Sequence, residues 1–333
     1  MRRALGSLFG AVARLRVAAY RRGILPRARL VGPVVSVGNI GTGGSGKTPV
    51  VRRVVELLLE EGHEVAVLSR GYGGRFRGEV LLVSDGEELL ADAEQAGDEP
   101  VMLARALPGV VVAVGPRRDA VGRFVEARFG RRVHVLDDGF QHLRLERDLD
   151  LVCVDVQDFA DRPLPAGRLR ESPDALSRAD AVLLTRLEAA PEAELRALEA
   201  RLGQGRTHRV SRRVVGWRTP AGAEAVAPGR VFLLAGIARP ERFERDAAAA
   251  GAAVVGTAFF ADHHRFRPAE LAAAATRARE AGAEALATTA KDAVRLVGDA
   301  APGLPLLVLH VAARFEDEER FRTRLLAAVR RAA

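Results

Sequence analysis

The sequence predicts an α/β protein built on a mainly parallel sheet, followed by a second, smaller α/β domain. Short apolar runs at 34–37, 65–68, 111–114, 133–136, 151–155 and 181–185 alternate with longer helical stretches such as 48–61 and 99–107. That strand–helix rhythm signals parallel pairing with helices on both faces. A polar, arginine-rich stretch around 207–220 breaks it, and a second alternation follows at 231–235, 252–255, 286–289 and 306–309, with an Ala-rich helix at 268–281. At 333 residues the chain also exceeds what one core of ordinary size needs. The expected layout is a first domain over 1–208, a linker over 209–220, a smaller domain over 221–315 and a closing helix over 316–333, with 308–313 a candidate to return to the first domain.

Composition narrows the class. Hydrophobic residues at 48% and charged residues at 28% describe a globular chain, not a disordered one. The single cysteine, Cys153, excludes a disulfide within the chain and fits a reducing compartment. No uninterrupted apolar run reaches the roughly 20 residues that a membrane-spanning helix needs. The net charge of +8 is carried almost wholly by arginine, since Lys47 and Lys291 are the only lysines among 51 basic residues. Such a balance favours an anionic partner: nucleotide, nucleic acid or an acidic membrane surface.

Along residues 1–22, Leu5, Leu8, Val12, Leu15 and Ala19 recur at helical spacing beside Phe9, with arginines flanking the stripe. A secretory signal is one reading of this pattern. It conflicts with the nucleotide site argued next, because nucleotide is cytosolic. Two readings stay open: an amphipathic helix lying on an anionic membrane face, or a helix packed on the protein's own core.

Gly41-Thr42-Gly43-Gly44-Ser45-Gly46-Lys47-Thr48 has the phosphate-loop spacing, with a strand leading in and a helix leading out. Glycines let backbone N–H groups converge on phosphate oxygens, and the helix N-terminus adds favourable potential. Lys47 is expected to reach the β- and γ-phosphates of ATP, and the Thr48 hydroxyl to hold Mg²⁺. A compact ammonium suits that cradle where a planar guanidinium does not. The first domain is therefore expected to be phosphate-loop NTPase-like. The strand at 133–136 runs into Asp137 and Asp138, where such proteins place the acid that holds the metal or its water. An ordinary Asp-Asp-Gly turn is the plainer reading of the same residues. A GTPase is disfavoured because Asp137-Asp138-Gly139 has the wrong spacing for a switch and Thr185-Arg186-Leu187-Glu188 only echoes a guanine reader. Nucleic acid is disfavoured as a partner because aromatics, at 5%, do not interleave with the basic residues. A zinc site is disfavoured because His263 and His264 lack a spaced third and fourth ligand.

At Asp137-Asp138-Gly139-Phe140-Gln141-His142 the chain resembles one family, the tetraacyldisaccharide 4'-kinases of lipid A biosynthesis. The resemblance extends through Ser36-Val37-Gly38-Asn39, Ser69-Arg70-Gly71-Tyr72-Gly73, Gly97-Asp98-Glu99-Pro100 and Pro165-Ala166-Gly167-Arg168-Leu169-Arg170-Glu171. It continues in Gly236-Ile237-Ala238-Arg239-Pro240, Asp262-His263-His264 and Lys291-Asp292-Ala293-Val294. Ala290 and Ala261 depart from the family pattern, standing where an acid and a proline are usual.

The resemblance implies transfer of the ATP γ-phosphoryl group to the 4'-hydroxyl of an acylated glucosamine disaccharide 1-phosphate. It also implies an N-terminal membrane-docking segment, and so a peripheral enzyme on the cytoplasmic face of the inner membrane. No obligate protein partner is expected. Carried over position by position, it gives Asp98 as the base and His263 as its partner, although an acid beside Glu99 would ordinarily cap the helix. Arg170 and Glu171 are placed near the nucleotide or its metal. Arg70, Tyr72, Arg118, Gln141 and His142 are candidates for the acceptor's phosphate and hydroxyls.

Overall fold

The computed structural model describes residues 2–42, 46–157, 159, 161–296 and 303–332, with side chains from Gly10 and Val12 onward. Gly43, Gly44 and Ser45 of the phosphate loop lie outside the described residues, as do the side chains of Leu5, Leu8 and Phe9.

The apolar runs read from the sequence become strands. In chain order they are β1 (Val34–Asn39), β2 (Val65–Ser69), β3 (Leu81–Ser84), β4 (Val111–Val114), β5 (Val133–Asp137), β6 (Leu149–Asp155) and β7 (Ala181–Thr185). After these come β8 (Thr207–Arg218), β9 (Glu224–Ala225), β10 (Arg230–Ala235), β11 (Ala253–Phe259), β12 (Ala285–Thr289) and β13 (Leu306–Phe315). The helices are α1 (Arg2–Arg21), α2 (Lys47–Glu60), α3 (Ala93–Ala96), α4 (Asp98–Ala106), α5 (Arg118–Phe129), α6 (Glu192–Leu202), α7 (Pro240–Ala249), α8 (Pro268–Glu280), α9 (Ala290–Ala293) and α10 (Glu318–Arg331).

β1, β2, β4, β5, β6 and β7 are fully buried, as strands covered on both faces must be. They pair in parallel in the order β7-β6-β1-β5-β2-β4, with β3 antiparallel at the edge. A second parallel set, β11-β10-β12-β13, follows in the same sheet.

The stretch expected as a linker is a 12-residue strand instead. Thr207–Arg218 pairs in parallel with β7 and antiparallel with β13, joining both halves into one sheet. Its arginines concealed it, because the middle of the strand is exposed on both faces (Arg212 and Arg213) while Val210 and Trp217 toward its ends are buried. The stretch expected to return to the first half does so as β13. Ala313 and Phe315 join α10 residues Phe321, Leu325 and Val329 in the core that holds Val35, Val54 and Val135. Phe315 stacks on Phe321 with ring centroids 4.0 Å apart.

Candidate active site

Parallel strands converge their carboxyl ends on one edge, the usual seat of a ligand in open α/β sheets. Here β1 ends on Asn39, β5 on Asp137 and β2 on Ser69, and the three strands are neighbours. Ser69 donates its hydroxyl to Asp137 Oδ2 at 3.1 Å. Among the described residues the other carboxylate oxygen of Asp137 is buried without a hydrogen-bond partner. Burial, with Glu99 nearby, raises the Asp137 pKa. A buried carboxylate with one oxygen unpaired calls for a proton or a cation.

Gly46, with φ 76°, turns the chain into α2, whose first residue is Lys47. The start of the loop is pinned by Thr42, which donates its N–H and hydroxyl to the Arg168 carbonyl at 2.8 and 2.9 Å. Lys47 Nζ donates to Asn39 Oδ1 at 3.1 Å and lies 2.8 Å from Asp138 Oδ1. Arg170 donates to the second oxygen of Asp138 at 2.7 Å. Asp138 adopts φ 57°, so the two acids of the Asp-Asp-Gly turn point different ways. Burial raises the pKa of Asp138, but Lys47 and Arg170 outweigh it and hold the carboxyl at about 2. Gly139 is required by contact, since a Cβ there would sit 2.7 Å from both Leu136 Cβ and Ser36 Oγ.

Asp98 opens α4 and is buried. It follows Gly97, whose φ of 90° and approach to the Tyr72 carbonyl exclude a side chain. The plain capping role does not hold, because the N-cap is Gly97 and Asp98 Oδ2 faces His263 Nδ1 at 2.9 Å. His263 sits in a left-handed conformation, φ 61°, between β11 and α8. Lys291 Nζ lies 3.2 Å from His263 Nε2 and 3.0 Å from Asp262 Oδ1, and Arg295 Nε lies 3.5 Å from Asp98 Oδ2.

One cleft of about 1500 Å³ collects most of these groups. Thr42, Gly46, Lys47, Thr48, Arg70, Tyr72, Asp137, Asp138, Gln141, Arg170, Glu171 and His263 line it; Asp98 is not among the lining residues but contacts His263, which is. Gln141 bridges the Asn39 carbonyl at 2.9 Å and Glu171 Oε1 at 3.0 Å, and Arg178 pairs with both Glu171 oxygens. Arg118 and His142 are not among the lining residues. Arg118 is 4% exposed and donates to the carbonyls of Gly115 and Pro116, while burial brings it down to about 10. Burial, helped by the charge of Arg118, lowers His142 to about 4.

Asn39, Ser69, Glu99, Asp262, Lys291 and Arg295 were not singled out from the sequence as site residues. Composition held a signal for one of them. Lys291 is one of two lysines in the chain, and both line this cleft. The others are polar residues at strand ends, on α4, or in the β11–α8 and β12–β13 connections, and only tertiary packing brings them together.

The tetraacyldisaccharide-1-P 4'-kinase family model matches residues 2–330. The chain belongs to this family. Tetraacyldisaccharide 4'-kinase of Desulfotalea psychrophila is 41% identical over 304 residues, covering 88% of this chain and 86% of that one. The enzyme of Anaeromyxobacter dehalogenans strain 2CP-C is 46% identical over 298 residues, covering 86% and 79%. The crystal structure of the "apo" form of LpxK from Aquifex aeolicus in complex with ATP superposes with a TM-score of 0.81 at 29% identity, covering 98% of this chain and 97% of that one. As a member of the tetraacyldisaccharide 4'-kinase family, the chain is an ATP-dependent phosphotransferase of lipid A biosynthesis, and the phosphate-loop kinase fold expected from its sequence is the one observed.

Proposed function

We propose that this kinase transfers the γ-phosphoryl group of ATP to the 4'-hydroxyl of tetraacyldisaccharide 1-phosphate, with Asp98 taking the hydroxyl proton. The 4'-oxygen bonds to the γ-phosphorus, the β–γ bridging bond breaks, and ADP leaves. A sugar hydroxyl is a weak nucleophile, so a carboxylate in contact with the cleft residue His263 answers the chemistry. The observation that carries the reading is the Asp98–His263 contact of 2.9 Å on the cleft that also presents Lys47.

Gly41, Thr42, Gly46, Lys47 and Arg170 are assigned to the nucleotide phosphates, with Gly43, Gly44 and Ser45 completing the loop in sequence. Mg²⁺, when bound, neutralises charge on the phosphate oxygens. The residues fit such a cation. Asp137 offers an unpartnered buried oxygen and Thr48 a hydroxyl, while Glu171 on the same cleft would have to exchange its contacts with Arg178 to join them. Asp137 is the better direct ligand of the acidic pair, because both oxygens of Asp138 already face Lys47 and Arg170. Arg70, Tyr72 and Gln141 are assigned to the acceptor. Arg118, which is buried, and His142, which is half-buried, are proposed to shape the floor beneath it.

The division into two domains is proposed as a functional one: the first half supplies Asp98 and Lys47, the second His263 and Lys291. We further propose that α1 docks on an anionic membrane surface at the cytoplasmic face of the inner membrane. Val12 is 59% and Leu15 72% exposed, with Ile24 also exposed, while Ala13 and Val17 line the cleft. An outward apolar row beside arginines supports docking over packing on the protein's own core. Among the described residues no helix is long and apolar enough to cross a membrane. Transfer of labelled γ-phosphate from ATP to the acylated disaccharide 1-phosphate, followed by thin-layer separation, tests the reading. No labelled lipid product from the pure, folded protein would sink it.

A further inference from the structure

A line of contacts runs from the second half of the molecule into the first. Lys291 Nζ lies 3.0 Å from Asp262 Oδ1 and 3.2 Å from His263 Nε2, and His263 Nδ1 lies 2.9 Å from Asp98 Oδ2. An ammonium carries three N–H donors and no lone pair, so it can bond an imidazole nitrogen only where that nitrogen bears no proton. Nε2 is therefore the acceptor, and the ring proton sits on Nδ1, donating to Asp98.

We propose that Lys291 is a positioning residue that fixes His263 as the Nδ1–H tautomer and so keeps Asp98 a proton acceptor towards the substrate hydroxyl. The inference rests on Asp98 being the base. A neutral imidazole can carry its proton on either nitrogen, and its partners decide which. With the proton on Nε2, the Nδ1 lone pair would face the Asp98 carboxylate, which would then be favoured in its protonated form and unable to accept. Asp262 holds the ammonium in place, and its Oδ1 also accepts the N–H of His263 at 3.0 Å. The histidine needs that anchoring, because a left-handed backbone is costly for a residue with a side chain. The other groups facing the ring are Asp262, whose Oδ2 lies 3.8 Å from Nε2, Tyr72, edge-on with centroids 6.2 Å apart, and Arg295, which lies 3.5 Å from Asp98 Oδ2. None of them offers a donor to Nε2 that would replace the lysine, and the Asp262 carboxylate, an acceptor, would favour a proton on Nε2 once the lysine is gone.

The test is ¹⁵N NMR of the histidine side chains in the full-length protein, with the His263 signals assigned by their loss in His263→Gln. The wild type is expected to show a protonated Nδ1 and a bare Nε2. In Lys291→Met the population is expected to move toward Nε2–H, with kcat down roughly tenfold to a hundredfold and the KM for ATP within about twofold. Lys291→Arg keeps a donor at Nε2 and is expected to restore the Nδ1–H signature.

A wild-type ring carrying its proton on Nε2 overturns the proposal, and that measurement stands even where Lys291→Met does not fold. An unchanged ring signature or unchanged kcat in folded Lys291→Met overturns it too, as does Lys291→Arg matching Lys291→Met. Undiminished turnover in Asp98→Asn would instead remove the base assignment while leaving the tautomer result as measured.

Discussion

His263 Nδ1 lies 2.9 Å from Asp98 Oδ2 across 165 positions of sequence. The carboxylate belongs to the first residue of α4 in one half of the molecule, and the imidazole to the connection between β11 and α8 in the other. The packing of the two halves therefore brings the proposed base and its partner together. Asp98→Ala is expected to lower kcat by roughly 10²- to 10⁴-fold, with the KM for ATP little changed, and His263→Ala by a smaller factor. Steady-state kinetics with the acylated disaccharide measures both, and wild-type turnover in either variant would remove that residue from the chemistry.

Lys47 is held between Asn39 and Asp138, and a guanidinium does not fit that cradle as an ammonium does. Lys47→Arg is accordingly expected to behave like Lys47→Ala, losing on the order of a hundredfold or more in kcat/KM for ATP. Nucleotide titration by calorimetry separates lost binding from lost chemistry. Arginine supporting near-normal affinity would show that this position needs charge alone.

Gly97 joins α3 to α4 at φ 90°, and a Cβ there would come 2.3 Å from the Tyr72 carbonyl oxygen. Gly97→Ala must move either the Tyr72 loop or Asp98. A stability loss of about 1–3 kcal/mol is expected from the backbone conformation and the clash. Urea denaturation reads that loss, and turnover should fall further than the fraction unfolded explains.

Three histidines make stability depend on pH. Burial lowers His142, His208 and His310 to about 4 each, helped by the nearby charges of Arg118, Arg320 and Arg218 respectively. In the unfolded chain they titrate near 6.5. Between those values the unfolded state binds more protons, so the histidines' contribution to stability falls as pH drops from about 6.5 toward 4 and levels off below. The slope per histidine is at most about 1.4 kcal/mol per pH unit. Thermal melting from pH 7.5 to 4.5 measures it, and His208→Gln should flatten the curve. Equal curves for wild type and variant would contradict the shift at His208.

Removing residues 1–22 is expected to abolish sedimentation with anionic vesicles and to lower turnover of the lipid acceptor, while ATP affinity stays within about threefold. Undiminished sedimentation of the truncated protein would assign membrane contact to another surface.

Local patterns made much of the protein legible. Strand and helix runs, the phosphate loop and the acids ending β5 are signals within a few residues, set by periodicity and turn chemistry, and β1, β2, β4, β5, β6 and β7 were read at nearly their observed bounds while β11 and β13 run on beyond theirs. The arginine-rich stretch that forms β8 was not, because its strand character comes from β7 and β13 on either side and not from its own composition. The site divides the same way. Lys47 and Thr48 announce themselves by spacing, Asp137 and Asp138 gain their meaning only from the loop upstream, and motif resemblance pointed to Asp98 and His263. That Asp138 faces Lys47 and Arg170 while Asp137 keeps a bare oxygen was decided by backbone dihedrals of the folded turn. That Lys291 touches His263 Nε2, and that Arg118 lies buried off the cleft, was decided by packing between distant elements, since charge and hydrogen-bond partners depend on distances that no local pattern encodes.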